Sequence, residues 1–401
     1  MRLQIALFGR TNVGKSSLIN LIAGQDVAIV SNIPGTTTDI VEKSLELLPI
    51  GPINLLDTSG IDDTSDLGKK RIEKTIRSLS QADIAIIVTE PNVWTKVEEN
   101  LANLIISNKL PLLVIINKCD KTTPDAKYIS TIESFSKEII HCSAHKTDRT
   151  ELLNSLKNSI SAVLPEAVNA NNTTILGDLV PTSGGLVVLI TPIDSEAPKG
   201  RLILPQVQTL RDCLDNGIST LVVRETEYAQ ALKLLARKPD LVVCDSQVVD
   251  LVVRQTPQDI ACTTFSILFS RLKGDFKVEV AGAMSLENIK PDNKILIAEA
   301  CSHHAQDDDI GTVKIPQKLR KFLGFDIQID HVSGRNYPLN LADYSLIIQC
   351  GSCMLTPREK MNRIQKAVDA GVPITNYGMV LSYTQGVLKR VLSPFKELRD
   401  R

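Results

Sequence analysis

Gln349-Cys350-Gly351-Ser352-Cys353 follows an apolar run, Tyr344 to Ile348, that reads as a buried strand, so two thiols sit where a strand opens into a loop. Upstream, a second strand-like run, Ile295-Leu296-Ile297-Ala298, leads into Cys301-Ser302-His303-His304. If the two strands lie side by side in one parallel sheet, Cys301, Cys350 and Cys353, with His303 or His304, meet at one edge. Ligands of such sheets gather there, beyond the carboxyl ends of the strands. Three thiolates and one variable further ligand suit an iron–sulfur cluster with an open coordination position. A Cys3His zinc site fits the same residues. A C-x-x-C redox pair is a third reading, and the histidines also make sense as loop residues that orient a thiol. The expectation is a site that holds metal. The other cysteines, Cys119, Cys142, Cys213, Cys244 and Cys262, are scattered among apolar or motif residues and read as small buried hydrophobes.

A second chemistry stands at the other end of the chain. Arg2 to Phe8 is a short apolar strand, and Gly9-Arg10-Thr11-Asn12-Val13-Gly14-Lys15-Ser16 follows it and opens a helical pattern, Ser17 to Ala23. This is the strand–loop–helix context of a P-loop. Gly9, Asn12, Val13, Gly14, Lys15, Ser16 and Ser17 are expected to cradle phosphates with backbone N–H groups and a helix N-terminus. Lys15 should reach the β- and γ-phosphates, and Ser16 should bind magnesium. Thr37, in Pro34-Gly35-Thr36-Thr37-Thr38-Asp39, is expected to cap the magnesium from a first switch. Asp57, at the end of the strand Ile53 to Leu56, would hold it as a Walker-B acid does, and Gly60 would bring its N–H to the γ-phosphate. Ile61 follows, and an isoleucine cannot orient an attacking water. In Asn117-Lys118-Cys119-Asp120 the Asp120 carboxylate can accept from N1–H and the 2-amino group of guanine. Adenine has neither donor and would leave a carboxylate unpaired. Lys118 would lie over the base, Asn117 would brace the neighbouring loops, and Ser143-Ala144 closes the base loop. Four motifs in this order read as GTP binding.

The elements that must position these groups are those of an α/β chain. The 401 residues favour two or three domains, each large enough for its own core. A helical pattern from Leu152 to Leu164 closes the first domain, and an Asn/Thr/Ala-rich stretch follows as a linker. Strands at 185–190, 220–223 and 241–243 alternate with helices at 204–214 and 228–237, the pattern of a small parallel sheet without ligand spacing. That segment is expected to serve spacing or self-association through an exposed strand edge or helix face. Strands are expected again at 294–298, 326–329 and 344–348, a helix at 359–370, and a loop at Asn376-Tyr377-Gly378. The expected domains are 1–165, a linker 166–184, then 185–272 and 273–401. Lys and Arg number 45 against 46 Asp and Glu, so no basic field argues for nucleic acid or an anionic membrane. No apolar run approaches a spanning helix and no signal peptide is evident, so a cytoplasmic protein is expected.

The first 165 residues resemble GTPases of the TrmE, Era and EngA subgroup. In that subgroup the asparagine matching Asn12 helps place a potassium ion near the β- and γ-phosphates. The resemblance therefore implies potassium-stimulated hydrolysis, with the cation serving the role of an arginine finger. Over nearly its full length the chain resembles the HydF maturases of [FeFe]-hydrogenase, which have a GTPase, a dimerisation and a cluster domain. The family bears C-x-H and, distantly, H-C-x-x-C, matched here by Cys301-Ser302-His303 and Gln349-Cys350-Gly351-Ser352-Cys353. Gln349 stands where the family often has histidine, which leaves the fourth ligand among His303, His304, Gln349, water or an exogenous group. The resemblance implies a [4Fe-4S] cluster and transient carriage of a diiron subcluster precursor. It also implies delivery to apo-[FeFe]-hydrogenase, the radical SAM partners HydE and HydG, and a homodimer or tetramer. An RNA- or ribosome-associated GTPase and a GTP-regulated zinc scaffold are the rival readings.

Overall fold

A computed structural model describes residues 3–24, 41–58, 78–79, 81–164, 174–181, 183–193, 200–300, 309–334, 337–338, 340–352 and 355–398. Thr37, Gly60, Ile61, Cys301, His303, His304 and Cys353 lie outside these residues. The chain divides into two compact units, 1–172 and 173–401.

The first unit carries a six-stranded sheet in the order β2-β3-β1-β4-β5-β6. Its strands are β1 (Leu3–Gly9), β2 (Val41–Leu47), β3 (Gly51–Asp57), β4 (Ile84–Thr89), β5 (Leu112–Ile116) and β6 (Ile139–His141). Only β2 runs antiparallel to its neighbour. Helices α1 (Lys15–Ala23), α2 (Lys96–Ser107), α3 (Ala126–Glu133) and α4 (Arg149–Val163) accompany it. Every residue of β4 and β5 is buried, as expected of central parallel strands covered on both faces. Alternate residues of β1 serve opposite cores: Ile5 and Leu7 join α1 and α4, whereas Ala6 and Phe8 join Leu101 and Ile105 of α2.

The second unit holds two four-stranded sheets, both wholly parallel. The middle sheet is β10-β9-β7-β8, from β7 (Leu186–Ile190), β8 (Ser219–Val223), β9 (Leu241–Cys244) and β10 (Ala261–Thr264). Its helices are α5 (Leu204–Asp215), α6 (Tyr228–Leu234), α7 (Val249–Gln255) and α8 (Phe265–Lys273). After α9 (Phe276–Met284) comes the C-terminal sheet, β12-β11-β13-β14. It is built from β11 (Lys294–Ala298), β12 (Gln328–Val332), β13 (Leu346–Gln349) and β14 (Ile374–Asn376). Helices α10 (Ile315–Leu323), α11 (Pro357–Asp369), α12 (Tyr377–Thr384) and α13 (Leu388–Leu392) complete it. The two sheets share one connectivity: the second strand lies on one side of the first, the third and fourth on the other. Each therefore has a topological switch point between its first and third strands, β7/β9 and β11/β13. The last helices return to the middle sheet, where Met379, Leu388, Val391 and Phe395 pack with Val188, Val243 and Phe265.

Three expectations need correction. The strand expected at 326–329 lies at Gln328–Val332; Asp326 instead pairs with Arg320 at 2.5 Å and accepts the N–H of Ile327 at 2.9 Å, so it finishes the turn after α10. β10, Ala-Cys-Thr-Thr, escaped the pattern because four small residues carry little apolar signal. Asn376-Tyr377-Gly378 is not a loop: Asn376 ends β14 and caps α12 by accepting from Met379 N at 3.0 Å, and Tyr377 and Gly378 form its first turn. No described helix is long and apolar enough to cross a membrane.

Candidate functional site

The first site forms where β1 runs into α1. Gly14 adopts φ 94°, a left-handed value, and a Cβ there would lie 2.3 Å from the Asn117 amide nitrogen, so only glycine fits. Asn117, buried at the end of β5, donates to Val13 O at 2.9 Å, and its Oδ1 accepts the N–H of Ala144 at 2.9 Å. One side chain thus ties the loop before α1 to the end of β5 and to Ala144. Lys118, at φ 63°, donates to Asn12 O at 2.7 Å and pairs with Glu90. Asp120 lies 3.6 Å from Lys146. The Lys15 ammonium is buried against the carbonyls of Gly9 and Arg10, both at 2.8 Å. Ser16 Oγ donates to Asp57 Oδ2 at 3.2 Å. Burial pushes the Asp57 carboxyl above its usual range, against the pull of Lys15 and Ser16. Two hard oxygen donors side by side, one a desolvated carboxylate, fit a magnesium ion.

Sequence reasoning missed a strut under this loop. Arg10 reaches Glu98 Oε1 at 2.6 Å, Glu98 Oε2 at 3.1 Å and Thr95 Oγ1 at 2.6 Å. Thr95 and Glu98 form the capping box of α2, so the P-loop is pinned to a helix N-terminus. Burial of Glu98 opposes ionisation, but the Arg10 guanidinium and the Thr95 N–H outweigh it and hold the carboxyl below its usual range. The signal was present as Thr95-Lys96-Val97-Glu98, a box of T-x-x-E ahead of an apolar run.

The second site lies at the carboxyl edge of the C-terminal sheet. β11 and β13 are neighbours with Ala298 opposite Gln349, so the two strand ends lie side by side at the switch point. Cys350 donates its N–H to Ala298 O at 3.0 Å, and its sulfur accepts the N–H of Ala300 at 3.1 Å. Cys301 follows Ala300 directly in the chain, and Ser352, at φ 52°, ends the described part of the other thiol segment. Among the described residues no three His, Cys, Asp or Glu side chains gather as a metal site; Cys350 is the described member of the expected set.

Gln349 faces the other way. It is fully buried, and its amide donates to Glu279 Oε1 at 3.0 Å. Glu279 is equally buried and accepts from Lys360 Nζ at 2.9 Å, from Ser270 and from Asn376 at 3.4 Å. Successive strand residues point to opposite faces, so a residue that precedes Cys350 within β13 is aimed into the α9–α11 side of the core. The Gln349 amide nitrogen is engaged in the core, while no described residue donates to its buried Oε1. Of the cysteines expected to be plain core residues, Cys142, Cys213, Cys244 and Cys262 are buried and Cys119 is half-buried.

Comparison with known proteins agrees with this layout. Residues 175–274 match the family described as Hydrogen maturase F dimerization domain, and 277–394 match the Hydrogen maturase F tetramerization domain. Residues 4–118 match the 50S ribosome-binding GTPase family. Curated relatives include the tRNA modification GTPase MnmE of Nitrosomonas europaea, 34% identical over 156 residues, covering 36% of this chain and 34% of that protein. MnmE of Acetivibrio thermocellus is 34% identical over 176 residues, covering 42% of this chain and 36% of the relative. The chain thus spans about a third of the length of these relatives. Among solved structures, Era in complex with MgGDPNP and 16S ribosomal RNA covers 56% of this chain and 92% of its own, at 23% identity and TM-score 0.36. The G domain of T. maritima FeoB covers 41% of this chain and 99% of its own, at 23% identity and TM-score 0.31.

Proposed function

This chain belongs to the hydrogen maturase F family, with an N-terminal P-loop GTPase domain of the TrmE/Era type, and from that premise we propose that it is a GTP-hydrolysing scaffold. It binds an iron–sulfur cluster and carries the diiron subcluster precursor to apo-[FeFe]-hydrogenase after exchange with HydE and HydG. The observation that carries the reading is the Ala300–Cys350 contact at the β11/β13 switch point, which sets the residue before Cys301 against a second thiol. We assign 1–165 to GTP hydrolysis, 185–272 to dimerisation and 273–401 to the cluster. Cys301, Cys350 and Cys353 are the cluster ligands, with His303, His304, water or an exogenous group as the fourth. The cluster supplies an attachment point for the diiron cargo.

In the nucleotide site Lys15 exchanges the carbonyls of Gly9 and Arg10 for the β- and γ-phosphates. Ser16 and Asp57, with Thr37, would hold magnesium, which would neutralise charge on the phosphates. Asn117 keeps the base loops registered on Val13 while Asp120 selects guanine. Gly60 presents its N–H to the γ-phosphate. An isoleucine at position 61 has no group to orient a water, and Asn12 would hold a potassium ion that would supply charge stabilisation there. Replacing potassium by sodium should slow hydrolysis about tenfold; equal rates would remove that role.

The dimerisation and tetramerisation matches support self-association. We assign the face to the edge strand β8 and helix α5, where Val222, Leu204, Val207 and Leu214 are exposed. The deciding experiment is anaerobic purification of the intact chain with iron, sulfide and zinc analysis. Brown protein holding iron and acid-labile sulfide is expected. Colourless protein with one zinc would replace the carrier with a zinc scaffold, and neither metal would leave a GTPase alone.

A further inference from the structure

The P-loop is tied at two points to one stretch of chain, residues 90–98, which supplies none of the residues expected at the nucleotide. At the first point Arg10 sets its guanidinium fork on Glu98, with Nε to Oε1 at 2.6 Å and a terminal nitrogen to Oε2 at 3.1 Å. The same nitrogen reaches Thr95 Oγ1 at 2.6 Å. Glu98 is 2% exposed, and its Oε2 also accepts the Thr95 N–H at 2.9 Å and the Thr95 hydroxyl at 3.0 Å. The acceptor that Arg10 meets is therefore held in place by its own helix cap. At the second point Lys118 donates to Asn12 O and pairs with Glu90. Between the two ties lie the Arg10 carbonyl, which takes the Lys15 ammonium, and Asn12 at a left-handed φ of 62°.

The 90–98 stretch is itself anchored. Thr89 Oγ1 donates to Val93 O at 2.6 Å, and the Tyr128 hydroxyl of α3 donates to Glu90 O at 2.8 Å. Asn92, at φ 65°, accepts the N–H of Asp125 at 2.8 Å. Behind it, Ala102 and Ile105 of α2 are buried with Ala6 and Phe8 of β1. An exposed ion pair between mobile side chains fixes little. Here a planar fork meets a buried carboxylate with two parallel bonds, which fixes direction as well as distance.

A loop that offers backbone N–H groups to phosphate binds only while it holds the matching shape. Where that shape is populated part of the time, apparent affinity falls by the same fraction. We propose that Arg10 is a positioning residue of the nucleotide site, its fork on Glu98 and Thr95 holding the empty P-loop in the shape that binds phosphate. This goes beyond the scaffold reading and rests only on the GTPase assignment. GTP and GDP share the phosphates that the loop cradles first, so the effect should be common to both.

The test compares intact wild type with Glu98→Gln, Arg10→Lys and the double variant Arg10→Met/Glu98→Gln. The double variant removes the fork without leaving a bare carboxylate in the core, and glutamine still serves the Thr95 cap. It is expected to melt with wild type, yet to bind fluorescent GTP and GDP analogues about tenfold more weakly, both by the same factor. The loss in hydrolysis should fall on KM more than on kcat, because saturating GTP restores the loop shape. Glu98→Gln alone should show a smaller loss in the same direction. Arg10→Lys, a point charge in place of a fork, should bind between wild type and the double variant. A wild type that binds no GTP overturns the GTPase assignment and this proposal with it. A double variant that binds both nucleotides as wild type does overturns the positioning role alone. Weaker binding together with a lowered melting transition means general packing, and overturns that role too. Weaker binding of GTP with GDP unchanged makes Arg10 a γ-phosphate contact instead, and also overturns it.

Discussion

The middle and C-terminal sheets share a connectivity and a hydrogen-bond register, yet a thiol faces the crevice in only one of them. Both have cysteines at the third strand. Cys244 is the last residue of β9 and opposes Ile190; the residue in that place on β13 is Gln349, opposite Ala298. Cys350 comes one residue later. That single step decides the chemistry, because neighbouring residues of a strand face opposite ways. Cys244 is sealed in the core, where burial and the adjacent Asp245 push its thiol far above the usual range and make it inert. Cys350 is half-buried and receives an N–H. The fold offers a switch-point crevice twice, and side chains at a few register positions determine whether it can hold anything.

The comparison can be broken most directly at its thiols. Cys350→Ala should abolish most bound iron in the anaerobically purified chain, whereas Cys244→Ala should hold the wild-type amount; equal iron in both variants would erase the distinction. Next in size is the buried pair under β13. Lys360→Met leaves Glu279, 0% exposed, without its ammonium partner, and should cost about 3–5 kcal/mol in urea unfolding. Pairing it with Glu279→Leu should recover most of that loss.

The N-terminal sheet extends the comparison to a crevice made specific by contiguous motifs. Asp120→Asn should weaken GTP binding about 100-fold while leaving the unfolding midpoint unchanged, since the lost contacts are to the base. The smallest expected effect sharpens the role of Gln349. Gln349→Leu removes one donor from Glu279 and should destabilise by about 1–3 kcal/mol. It should leave the EPR spectrum of the bound cluster unaltered, whereas a ligand would change it.

How much was legible differs between the two sites for a physical reason. Gly14, Lys15 and Ser16 lie in one continuous stretch, and Asn117 and Asp120 follow the end of one strand, so residue types and spacing make both motifs readable. Residues 300 and 350 meet only because β11 and β13 are neighbours, and that order follows from how helices cover the sheet. The apolar runs located β11 and β13 but not β10, and the side-by-side placement that the sequence left as a condition is met in the sheet. Tyr377 was read as a loop residue because Asn-Tyr-Gly resembles a turn; burial of the first turn of α12 against Cys350 overrides that local preference.

The sequence by itself determined that this chain carries a P-loop, an Asn-Lys-Cys-Asp motif suited to guanine and a cysteine pair at the mouth of a strand, because each is written in contiguous residues whose backbone geometry is locally encoded. Only the tertiary structure decided that Gln349 turns into the core toward Glu279, that Arg10 is braced on α2, and that Tyr377 meets Glu299 and Gly311. Those contacts join residues far apart in the chain. Strand order, register and packing, which no single stretch specifies, bring them within hydrogen-bonding distance.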